Sequence, residues 1–372
     1  MHSKTYLEYR LISKKGEGTF SEVLKAQSTV TGRYVAIKCM KSHFDNSEQV
    51  NNLREIQALR RLSPHANIIK LIEVIYDEPT GRLALVFELM DLNMYEWIKN
   101  RKSHLPENKI KNYVFQLLKA IEHTHTNGIF HRDIKPENVL ISNDVLKLAD
   151  LGSCRSINSK QPYTEYISTR WYRPPECLLT DGYYGPKMDL WGVGCVLFEV
   201  IALFPLFPGK NEMDQIKKIH NILGTPSQER LQQFQKLATH MEIKFQTREG
   251  TGIDPLIPHA SESCRDLIKK LLIYEEEPRF TATQALNHPF FRELKDDTSA
   301  ISHSPSIPDS DFAAGDKDSK INKKLFPTIN KPVKNTSFSK ITLAMDKSIS
   351  KNLPHLKQAS PYAKKTVHKP YY

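Results

Sequence analysis

Two short stretches of this chain hold side chains able to do chemistry together. The run from His131 to Asn138 reads His-Arg-Asp-Ile-Lys-Pro-Glu-Asn, and twelve residues later comes Asp150-Leu151-Gly152. A carboxylate such as Asp133 can take a proton from a hydroxyl. Asn138 and Asp150 carry oxygens that suit a hard divalent cation such as Mg²⁺. Lys135 is long enough to meet a phosphate. A polar loop between strands would explain the charge of these stretches but not their spacing.

Chemistry of this kind needs a cradle for phosphate and a cation to hold it. Gly16-Glu17-Gly18-Thr19-Phe20-Ser21-Glu22-Val23 follows the strand-like Tyr9-Arg10-Leu11-Ile12. Glycines let a backbone turn tightly and approach phosphate oxygens where a Cβ would clash. Ser21 stands where a third glycine is usual, and a small residue still fits. Val35-Ala36-Ile37-Lys38 is an apolar strand ending in a cation. Val50, Leu53, Ile56, Leu59 and Leu62 recur every three residues and predict one helical face. Glu55 sits among them as the natural carboxylate for Lys38, with Glu48 as its rival.

Taken together these residues resemble the eukaryotic protein kinases over residues 5–291. The later run Thr164-Glu165-Tyr166-Ile-Ser-Thr-Arg-Trp-Tyr-Arg-Pro-Pro-Glu176 narrows the resemblance to the CMGC group, with a mitogen-activated-kinase-like loop and the MAK/MOK branch, MOK-type members above all, as the nearest match. That resemblance implies an α+β bilobal fold. A small β-rich lobe with one main helix would span about 5–90 and a large, mostly helical lobe about 91–291. It implies an ATP-dependent protein serine/threonine kinase using Mg²⁺ and acting in signal transduction. Lys38 would pair with the α- and β-phosphates and with Glu55. Asp133 would accept the substrate hydroxyl proton, Lys135 would reach the transferring phosphate, and Asn138 and Asp150 would hold the metal. Gly16, Glu17, Gly18, Val23 and Ala36 would cover the nucleotide. Phe87 would be the gatekeeper, and Glu88, Leu89 and Met90 the hinge that binds adenine.

The same resemblance assigns regulatory parts. Thr164 and Tyr166 would be phosphorylated, with Arg132, Arg170 and Arg173 receiving the phosphates or bracing the loop. Thr169 would bridge Asp133 and Lys135, Asp189 would anchor the catalytic loop, and Glu176 would pair with Arg279. Arg173 would favour protein substrates with proline after the acceptor Ser or Thr. Nothing after Phe291 resembles an acidic docking segment, so self-phosphorylation is expected at Tyr166 and a separate upstream kinase at Thr164. Leu151 replaces the usual Phe but remains an apolar plug. Pro174 replaces the usual Ala and stiffens the turn beside the substrate pocket.

The rest of the chain sets bounds. Five scattered cysteines show no metal-type spacing and fit a reducing compartment. Cys154, near Asp150, reads as an inert thiol rather than a reactive one. The first residues lack the apolar core of a signal peptide, so none is expected, and Met188–Phe207 is too short and polar to span a bilayer, for which ~20 apolar residues are needed; it predicts a buried helix. Phe234–Pro258 predicts an irregular insert and His288–Phe291 a last helix. Residues 292–372 form a basic, low-complexity tail expected to be disordered. From Lys295 on it holds 14 Lys, no Arg and seven acidic residues, so about +7 of the chain's +11 lies there. A solvated extension is the simpler reading; a basic arm for nucleic acid or acidic partners is the other. A pseudokinase scaffold is opposed by the joint presence of Lys38, Glu55, Asp133, Asn138 and Asp150. A monomer is expected, in the cytoplasm, with nucleus or cilium suggested by the resemblance alone.

Overall fold

The computed structural model describes residues 8–163, 169–239 and 242–294. Its N-terminal part is an antiparallel sheet of β1 (Tyr9–Glu17), β2 (Ser21–Ser28), β3 (Tyr34–Met40), β4 (Leu71–Asp77) and β5 (Arg82–Glu88), in the order β1-β2-β3-β5-β4. The period of two in the strands decides what each face covers. Along β5, Ala84 and Val86 join Ala26, Val35 and Ile37 on one side. Leu83, Leu85 and Phe87 point to the other side and enter the main core. This central strand therefore ends at Phe87 and Glu88 with both faces already covered.

The expected single helix is split into α1 (Ser47–Asn51) and α2 (Arg54–Leu62). Asn46 caps α1 by accepting from the Gln49 amide, and Leu53 then turns to an extended conformation (φ −61°, ψ 128°). The reason lies in the spacing itself. At about 100° per residue, apolar positions three apart drift by about 60° each time and cannot share one face for five repeats. The break at Leu53 resets the phase, so Val50, Ile56, Leu59 and Leu62 are all buried. Glu55 thereby lands in the first turn of α2, facing the sheet.

The second lobe begins with β6 (Leu92–Asn93), α3 (Met94–Ile98) and the long α4 (Glu107–Thr126). Short strands β7 (Ile129–Phe130), β8 (Val139–Ser142), β9 (Val145–Leu148) and β10 (Arg155–Ser156) follow. Beyond them lie α5 (Pro175–Leu179), α6 (Met188–Ala202), α7 (Glu212–Leu223), α8 (Gln228–Gln235), α9 (Glu262–Leu271) and α10 (Ala282–Leu286). Every residue of α6 is buried, as its apolar run predicts. Gly192 on this helix is a matter of space: a Cβ there would sit 2.8 Å from the Ile134 Cβ. This close approach lays the catalytic-loop segment directly on α6.

Two expectations change in detail. His288–Phe291 is not a full helix but a single 3₁₀ turn, Pro289–Phe291, after α10. Among its described residues the insert after Gln235 is irregular apart from the turn Asp254–Leu256, yet Ile243, Ile253 and Ile257 pin it to the core. Among the described residues no helix is long and apolar enough to cross a membrane. The tail from Lys295 lies outside the described residues.

Candidate active site

Three charged groups from distant parts of the chain converge at the back of the cleft between the lobes. Lys38 Nζ on β3 lies 2.8 and 2.9 Å from the two carboxylate oxygens of Glu55 on α2. The same nitrogen is 2.9 Å from Asp150 Oδ1. Glu48 is exposed on α1, so the choice between the two glutamates falls to Glu55. Burial alone would push the Lys38 ammonium down, but Glu55 and Asp150 outweigh it and hold its pKa above the usual value. Burial pushes the Glu55 carboxyl up against the pull of Lys38. Asp150, its side chain half exposed, is desolvated at the cleft wall, but the Lys38 ammonium outweighs this and holds its carboxyl below the usual value. Its backbone is left-handed (φ +60°), a conformation Asp tolerates better than most residues. Leu151 is 1% exposed and packs into the main core beside α2.

The loop from His131 to Asn138 is held from below. Asp189 of α6, fully enclosed, accepts from the backbone amides of His131 (2.7 Å) and Arg132 (2.8 Å) and bonds His125 Nε2 (2.9 Å). His131 Nδ1 accepts from the Asp133 amide at 3.2 Å, so its Nε2 carries the proton donated to the Ala149 carbonyl at 2.9 Å. Asp133 Oδ2 accepts from Lys135 Nζ (2.8 Å) and Asn138 Nδ2 (3.0 Å). Its other oxygen, Oδ1, is buried with no hydrogen-bond partner among the described residues.

The cleft above this loop encloses about 320 Å³. Gly16, Val23, Ala36 and Lys38 wall it on the sheet side, Phe87, Glu88 and Met90 at the back, and Asn138 and Asp150 below. Lys15, Asp91, Asn93 and Glu96 also line it. None of those four was singled out in the sequence. Glu17 and Gly18 are not on its wall. The Glu17 carboxylate pairs with Lys14 (2.5 Å) and Lys41 (2.8 Å), and the Gly18 amide donates to the Ser21 carbonyl.

Of the segment that follows Asp150, Thr164 and Tyr166 lie outside the described residues. Thr169 leads into the turn Arg170–Tyr172 and its carbonyl accepts from the Tyr172 amide. Arg132, 2% exposed, donates Nε to the Ser153 carbonyl and Nη1 to Tyr184 Oη. Arg173 Nη1 is 3.7 Å from Glu212, and burial lowers its pKa. Arg170 reaches the Lys210 carbonyl at 3.4 Å. The Nε atoms of Arg170 and Arg155 are buried without a hydrogen-bond partner among the described residues. Glu176 and Arg279 form a buried, two-pronged pair at 2.6 and 3.0 Å.

The protein kinase domain family matches residues 9–291. The chain is 58% identical over 287 residues to the human MAPK/MAK/MRK overlapping kinase, covering 77% of this chain and 68% of that protein. The chain belongs to the protein kinase family. Its place is in the MAK/MOK branch of the CMGC group. The mouse serine/threonine-protein kinase ICK is 42% identical over 285 residues, 76% of this chain and 45% of that protein. The human serine/threonine-protein kinase MAK is 41% identical, with the same shares covered. The chain is thus a protein serine/threonine kinase of the MAPK/CDK-like type, and spans less than half the length of the latter two.

Several contacts in this kinase escaped the sequence. His125 supports Asp189, but two histidines close α4 and nothing in the sequence distinguishes them. Glu199 on α6 accepts from Tyr172 Oη at 2.7 Å, and burial pushes its carboxyl up to about 7. Arg155 sits beside Tyr163, its guanidinium 5.8 Å from the ring centre. The first two join residues tens of positions apart, which spacing cannot reveal.

Proposed function

We propose that this kinase transfers the γ-phosphoryl group of ATP to Ser or Thr followed by Pro. The carrying observation is Asp133 Oδ1, buried and unpartnered among the described residues while Oδ2 is held by Lys135 and Asn138. A substrate hydroxyl there gives its proton to Asp133 as its oxygen bonds the γ-phosphorus, and the bond to the ADP oxygen breaks. Lys135 neutralises the moving charge and Lys38, braced by Glu55, holds the nucleotide phosphates. Gly16 supports the phosphate reading. A Cβ there would meet nothing within 4 Å, so the fold itself does not demand glycine, whereas a phosphate laid against the backbone does.

Mg²⁺ fits the donor set. Asp150 offers Oδ2 beside an Oδ1 already bonded to Lys38, and Asn138 offers its amide oxygen, Nδ2 being bonded to Asp133. One carboxylate and one amide, completed by phosphates and water, is the kind of site this cation takes. When bound it neutralises phosphate charge. Thr164 and Tyr166 are the proposed on-switch. Arg170 and Arg155, each with a buried Nε that has no hydrogen-bond partner among the described residues, supply donors for phosphates, and Arg155 joins the sequence-derived set on that ground. Tyr166 is proposed as a self-phosphorylation site and Thr164 as the target of an upstream kinase.

The test is ATP-dependent labelling of a peptide library by wild-type and Asp133→Asn protein. The expected result is loss of nearly all activity in the variant and, in wild type, selection of proline after the acceptor. Activity within a few-fold of wild type would remove Asp133 from the reaction. No selection at that position would remove the proline-directed reading alone.

A further inference from the structure

Lys41 is the first residue past β3, and it grips the glycine loop at Glu17, Gly18 and Phe20 together. Its ammonium donates to Glu17 Oε1 and to the Gly18 carbonyl, both at 2.8 Å. Its own amide donates to the Phe20 carbonyl at 2.9 Å. The other oxygen of Glu17 is held by Lys14 at 2.5 Å, and Lys14 also pairs with Glu22 at 3.5 Å. Lys14 and Lys41 draw the Glu17 carboxyl down to about 2, so this network stays charged throughout the neutral range.

The strand pairing brings Lys41 to the loop but keeps it out of the cleft. Val23 pairs with Lys38 and Ser21 with Met40, so the ladder between β2 and β3 ends at the loop tip. Side chains alternate along a strand, and Lys41, three residues after Lys38, falls on the opposite face and is not on the cleft wall. Its lever is the peptide plane. The Gly18–Thr19 bond is trans, and in a trans peptide the carbonyl and the following N–H point in opposite directions. With the Gly18 carbonyl turned to Lys41, the Thr19 amide points the other way. It has no hydrogen-bond partner among the described residues, and a backbone N–H left free in a turn is a donor for an anion.

We infer that Lys41 is a positioning residue for phosphoryl transfer, which with Glu17 as its counter-charge clamps the loop tip so that the Thr19 amide is presented to the nucleotide phosphates. The inference rests on the cleft being the ATP site. Lys38 and Lys41 stand three residues apart, so the clamp ties the loop to the strand that carries the phosphate-holding lysine. Adenosine has no phosphate and is blind to the clamp, whereas ATP depends on it.

Binding of ATP with Mg²⁺ and of adenosine would be measured by calorimetry on the full chain, as wild type, Lys41→Met, Lys41→Arg, Glu17→Gln and the double variant of Glu17→Gln with Lys41→Met. Exposed ion pairs contribute little each, so ATP should weaken about two- to fivefold in Lys41→Met and about twofold in Glu17→Gln, with adenosine unchanged. Lys41→Arg keeps the charge and should bind ATP as wild type does. The double variant should lose no more than Lys41→Met alone, because two halves of one contact do not add. In steady-state assays the change should fall on KM for ATP and not on KM for the protein substrate, and it should shrink as added salt screens the exposed charges. Tighter ATP binding by Glu17→Gln would mean that Lys41 meets phosphate directly once released, and would overturn the clamp. Adenosine weakened as much as ATP, or ATP unmoved in Lys41→Met, would overturn it too. Wild type binding neither ATP nor adenosine would sink the ATP-site reading beneath it, an outcome distinct from these.

Discussion

Replacing Glu55 by Gln should separate activity from stability. Lys38 would lose one of its two contacts at 2.8 and 2.9 Å and keep at most one, to an uncharged amide oxygen. A contact to a charged group is worth about 1.5–3 kcal/mol. If that loss is expressed in the transition state, kcat/KM falls by about 10- to 100-fold, since about 1.4 kcal/mol is one decade. Lys38 would also turn wholly to Asp150, now its only carboxylate in this cluster, and draw it from the metal. Stability should move the other way. Burial raises the Glu55 pKa, so folding favours the protonated form. The stability it contributes is present below the ordinary carboxylate range and is lost as pH rises through its folded pKa, which makes charged Glu55 costly at neutral pH. A neutral isostere should melt at or above the wild-type temperature. Steady-state rates with ATP titrated, beside thermal melts at pH 7.5, decide the matter. Activity within twofold of wild type, or a melting point lowered by several degrees, would refute the argument.

Other outcomes follow from the same geometry. Glu176→Gln leaves the fully enclosed Arg279 without its counter-charge and should cost about 3–5 kcal/mol in urea unfolding, whereas pairing Glu176→Gln with Arg279→Met should recover part of that loss. Asp189→Asn replaces one of the two oxygens that accept the His131 and Arg132 amides with a donor; hydrogen exchange at one of these amides should rise along with a fall in kcat. Glu199, raised to about 7 by burial, contributes stability below its ordinary range that fades as pH climbs through 7. Melts from pH 5 to 8 should therefore decline more steeply for wild type than for Glu199→Gln.

The chemistry of this kinase was legible because its parts are local. His131 to Asn138, Asp150 and the glycine loop each place several working groups within a few residues, and a short loop cannot carry that spacing by accident. The β-strand and long-helix periodicities were equally plain, since one buried face imposes period two on β5 and a helical period on α4. Other features depended on contacts between remote parts of the chain. Lys38 meets Asp150 across 112 positions with no local signature, and Glu176 meets Arg279 across 103, a pairing that the family resemblance implied and spacing could not. The split between α1 and α2 is a packing solution to a spacing that one straight helix cannot bury. The hold of Lys41 on the glycine loop is a register property of two paired strands. A lysine just past a strand reads as solvated in one dimension, and only the pairing of β2 with β3 brings it against Gly18 and Phe20.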